Sequence, residues 1–75
     1  MSNAAYFKDR VKKEKDIENL NGIMSDLNSA IEDVAFKKDK APTESQKVNL
    51  AIELKALRLI LSMGNNKIDE LKKDQ

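Results

Sequence analysis

Cysteine and histidine are absent from this chain. That excludes a disulfide framework and the usual zinc sites. A chain of 75 residues seldom encloses a sufficient core without a disulfide, a metal or a second copy of itself. Association is the support that remains. Aromatic residues make up only 4%, too few to suggest a shaped, partly desolvated pocket of the kind that acid–base catalysis requires. Nowhere do 18 uncharged apolar residues follow one another, and the opening MSNAAYFKDR lacks the apolar core of a signal peptide. A soluble, cytoplasmic protein with no membrane role is expected. There is no phosphate loop, no metalloprotease motif and no Glu-x-x-His pair. The expectation is therefore no enzyme, no cofactor and no bound metal.

Charge of one sign is also missing, since the net charge is +1 and gives no global field to draw in nucleic acid or an anionic membrane. The distribution is local instead. Residues Met1 to Asp16 and Lys37 to Lys47 are each net positive, whereas Ile17 to Phe36 holds four acidic residues and no lysine or arginine. Lysine far outnumbers arginine and asparagine is frequent, a bias common in AT-rich bacterial and phage genomes.

What the chain does contain is helical periodicity. Ile17, Leu20, Met24, Leu27, Ile31 and Val34 form a heptad seam. Asn21-Gly22 would ordinarily mark a turn, but the seam keeps its phase across it, which favours a continuous helix weakened by about 1 kcal/mol. The first helix is expected over about 4–37 and a connection over 38–43. Lys37, Lys38 and Lys40 suit the negative end of the helix dipole, and Pro42 turns Ala41 out of helical geometry. TESQ then reads as a capping box, Thr43 to Gln46, opening a second helix over about 44–73. Leu50, Leu54, Leu57 and Leu61 line one face, and the phase carries on through Gly64 to Ile68 and Leu71. The alternative is a break at 64–66 followed by a short separate helix.

Two helices of similar length joined by a short connection predict an all-α antiparallel helical hairpin within one domain, 1–75. Residue i of the first helix is expected opposite about residue 80 − i of the second. That would set Arg10 near Asp69 and Glu70, with Tyr6 and Phe7 capping the end of the bundle.

The segment Val48–Met63 is apolar at eleven of sixteen positions. Its leucine seam faces the first helix, while Val48, Ile52, Leu59 and Met63, with Ala56 at the margin, occupy nearly the opposite side. One partner helix covers only one such face, and a helix apolar on both sides belongs inside an assembly. These five residues are the candidate oligomer or partner interface. The expected assembly is a homodimer of hairpins forming a four-helix bundle. Function then points to a small non-catalytic interaction protein, an adaptor, assembly factor or inhibitor of a larger protein. The alternative is a weak nucleic-acid-binding regulator that uses Lys8, Lys12 and Lys15 along the outside of the first helix.

Overall fold

The computed structural model describes residues 3–74; Met1, Ser2 and Gln75 lie outside them. Among the described residues the chain is 90% helical with no strand. Its three helices are α1 (Asn3–Lys13), α2 (Ile17–Lys40) and α3 (Glu44–Lys73).

Local chemistry sets the helix ends. Asp16 is extended and its carboxylate accepts a hydrogen bond from the Asn19 backbone N–H at 3.4 Å, which starts α2. Three lysines fill the last turn of α2, and Ala41, held extended before Pro42, terminates it. The Gln46 backbone N–H donates to Thr43 Oγ1 at 3.2 Å, opening α3 as the capping residues predict. From there α3 runs through Gly64 without a stop. Both glycines have ordinary negative φ.

With only Ala41, Pro42 and Thr43 between them, α3 returns alongside α2. Phe36 and Lys37 share a groove with Gln46, Asn49 and Leu50 near the connection, and farther along Met24 lies against Gly64. The seam side chains Leu20, Leu27, Leu54 and Leu57 are buried between the two helices.

The expected two helices are in fact three, because the single helix over 4–37 is broken at Glu14, Lys15 and Asp16. Register explains the break. If the chain were one straight helix, Val11 would lie thirteen residues before Met24, about 20 Å further out. Measured from the Met24–Gly64 contact, its opposite number on α3 would be about residue 77, beyond the end of that helix. Val11 and Phe7 would then have nothing to pack on. Instead α1 turns back over the structure, and Lys67 Nζ donates to the carbonyl oxygens of Val11 and Lys12, each at 2.7 Å. The longest dimension agrees. A helix spanning Asn3 to Lys40 would be roughly 56 Å long, whereas the Cα trace measures 48 × 17 × 16 Å.

Adding α1 widens the core. Phe7 and Val11 are buried, and so are Ile23 and Ile60, neither of which belongs to the leucine seams. Arg10 does not reach Asp69 or Glu70 in any ion pair among the described residues. Its guanidinium donates to the Tyr6 hydroxyl at 2.7 Å, within α1. Among the described residues no polar or charged side chain is buried, so the packed interior is apolar, with the part-buried Lys67 bonding to α1 at its edge.

Candidate interaction surface

Residues four, four, three and four apart follow one line along an α-helix. On α3 that line carries Val48, Ile52, Ala56, Leu59 and Met63. Val48, Ile52 and Leu59 are 54%, 64% and 61% exposed, and their spacing sets them on the side of α3 opposite Leu50, Leu57 and Leu61. Ala56 and Met63 are half-buried. Met63 loses its exposure to the returning α1, for it shares a groove with Val11 and Lys12. Five aligned positions thus form an apolar strip about 22 Å long, open in its first two thirds and partly covered at its end.

Two features beside the strip were missed in the sequence reading. Along one edge, Lys38 of α2 meets Lys55 and Arg58 of α3 around Ala51, Leu54 and Leu59, a basic border to an apolar groove. Lys38 belongs to another helix, so helical spacing on α3 could not reveal this cluster. Near the connection, Phe36 is 63% exposed and shares a groove with Ala41, Pro42 and Leu50. Lys40 Nζ stands 5.8 Å from the Phe36 ring centre, within the range of a cation–π contact.

The three lysines put forward for nucleic acid do not form one helical stripe. Lys8 and Lys12 lie on α1, flanking its buried Phe7 and Val11, whereas Lys15 sits in the break before α2. All three are exposed. Tyr6 is half-exposed and meets Phe7 edge-on at 5.2 Å between ring centres, with Arg10 5.6 Å from the Tyr6 ring centre. Phe7 therefore belongs to the core and not to a cap at the bundle end.

Among the described residues no group of three or more acidic side chains is placed to hold a metal ion, and no helix is long and apolar enough to cross a membrane. The described grooves are open to solvent. Comparison with protein-family models, curated proteins and solved structures finds no match to this chain.

Proposed function

We propose that this chain is a small non-catalytic protein–protein interaction module that acts as a homo-oligomer. In this reading α2 and α3 form an antiparallel hairpin, and two hairpins pack as a four-helix bundle with α1 outside it. The observation that carries the reading is the exposure of Val48, Ile52 and Leu59 in one line, on the same helix whose opposite side builds the core. Burying three such side chains contributes on the order of 5 kcal/mol per copy as an upper figure, comparable with the whole stability of a small domain.

Light scattering tests it. The purified protein should show at least twice its 8.5 kDa chain mass. Ile52→Glu or Leu59→Lys should lower that mass, because a charge on the strip would be buried without a partner. A wild-type protein that stays monomeric at tens of micromolar would remove the basis for the reading.

A further inference from the structure

The strip on α3 has an internal symmetry. Val48 and Met63 stand at equal distances from the point between Lys55 and Ala56, and so do Ile52 and Leu59. A helix patterned this way presents the same order of side chains in either direction. It therefore matches a copy of itself running the opposite way: Val48 meets Met63, Ile52 meets Leu59, and each meeting occurs twice. At the centre Ala56 offers a small side chain where two helices would approach most closely.

The surroundings of α3 favour the same orientation. Asn49 and Lys67 are eighteen residues apart, five helical turns, and so lie on one edge of α3. At the Lys67 end of that edge sits α1. At the Asn49 end the edge is open, and Phe36 is exposed beside it. A two-fold axis between antiparallel helices keeps each edge on its own side and inverts the levels along it. The end that carries α1 in one copy then lies next to the Phe36 end of the other. Parallel pairing would set both α1 helices at one end, on opposite edges, and bring neither next to the open Phe36 end of its partner. The long side of the Cα trace, 48 by 17 Å, leaves room for an antiparallel copy to bury about 800 Å² per partner, as a standard stable interface does, with the exposed strip at its centre.

We infer that the occupant of this face is a second copy of the chain, paired antiparallel about a two-fold axis that passes between Lys55 and Ala56 of the two α3 helices. The inference rests on the homo-oligomeric reading above and adds its orientation and register.

The natural chain has no cysteine, so single cysteines report the register directly. In the antiparallel pair Ile52 lies opposite Leu59 and about 10 Å along the axis from its own equivalent, beyond the span of a disulfide. An equal mixture of Ile52→Cys and Leu59→Cys proteins, mildly oxidised, should form the mixed disulfide at least tenfold faster than either protein links to itself. Ala56→Cys, which leaves every large side chain of the strip in place, should link to itself readily, and Val48→Cys should not. Faster linking of like positions, with Val48→Cys joining itself, indicates a parallel pair. That result overturns the register while the homo-oligomeric module stands. A wild-type chain that light scattering shows to be monomeric, with none of the four variants cross-linking, overturns both and leaves the face to a different protein.

Discussion

Gly64 and Met24 occupy one contact: a β-carbon added to Gly64 would lie 2.6 Å from Met24 Cε and closer still to the sulfur. Alanine is favoured over glycine inside a helix by about 1 kcal/mol, and at Gly22, where nothing stands within 4 Å of the added carbon, that gain should appear in full. Gly22→Ala is expected to stabilise by about 0.5 to 1 kcal/mol. At Gly64 the thioether must swing aside, which its flexible end allows at some cost, and Gly64→Ala should fall within about 0.5 kcal/mol of wild type. Denaturant melts decide both. In a Met24→Ala background the obstacle is gone, so Gly64→Ala should recover roughly 1 kcal/mol, a coupling that a double-mutant cycle reads directly.

Lys67 holds the end of α1 by donating to two carbonyl groups that have no partner within that helix. Lys67→Met keeps the apolar stem and removes the donor. Global stability should fall by about 1 kcal/mol, and amide exchange in Phe7 to Val11 should quicken more than in Leu20 to Leu27. Equal acceleration in both helices would show that α1 is not separately latched.

Much of this fold could be read from the residues alone. The capping signal at Thr43, the stop before Pro42 and the continuity through Gly64 each depend on short-range chemistry. The seams of α2 and α3 depend on spacing. What escaped was the break at Glu14–Asp16, although its mark is present. Ala4, Phe7 and Val11 follow a helical line one residue out of step with Ile17, Leu20 and Met24, and Asp16 stands just where a cap belongs. A heptad frame carried backwards from Ile17 falls on Tyr6, Arg10 and Lys13 and so passes over the true apolar face. Ile23 and Ile60 were missed for the same reason, since their burial depends on a third helix. The exposed line of Val48, Ile52 and Leu59 was legible through period alone. Its basic border was not, because Lys38 comes from α2.

Salt should strengthen self-association. The antiparallel two-fold places the Lys38, Lys55 and Arg58 edges of both copies on the same side, so their charges repel across the interface. Raising sodium chloride from 50 to 500 mM shortens the screening length from above 10 Å to well below it. The dimer dissociation constant, followed by sedimentation, should fall several-fold, and Lys55→Gln should flatten that dependence. A dimer that weakens with salt would contradict this arrangement.

Nucleic acid should bind no better than generically. The charge is +1 overall and the lysine stripe is divided between α1 and the break, so affinity for duplex DNA or RNA at physiological salt should be about 10⁻⁴ M or weaker. Fluorescence anisotropy with labelled duplexes measures it. Micromolar binding in 150 mM salt that is lost when Lys8, Lys12 and Lys15 are replaced together would restore the regulator reading.

The three-residue link between α2 and α3 also orders the events by which the chain acquires its shape. Around Ala41–Thr43 the first contacts join residues that are near neighbours in the chain, and each later pair closes only a slightly longer loop until Met24 reaches Gly64. Such local closures are fast. The α1 contact to Lys67 spans 55 to 56 residues and has no partner surface until α3 is in place. The contacts between α1 and α3 are therefore expected to form after those that zip α2 onto α3 from the connection outward.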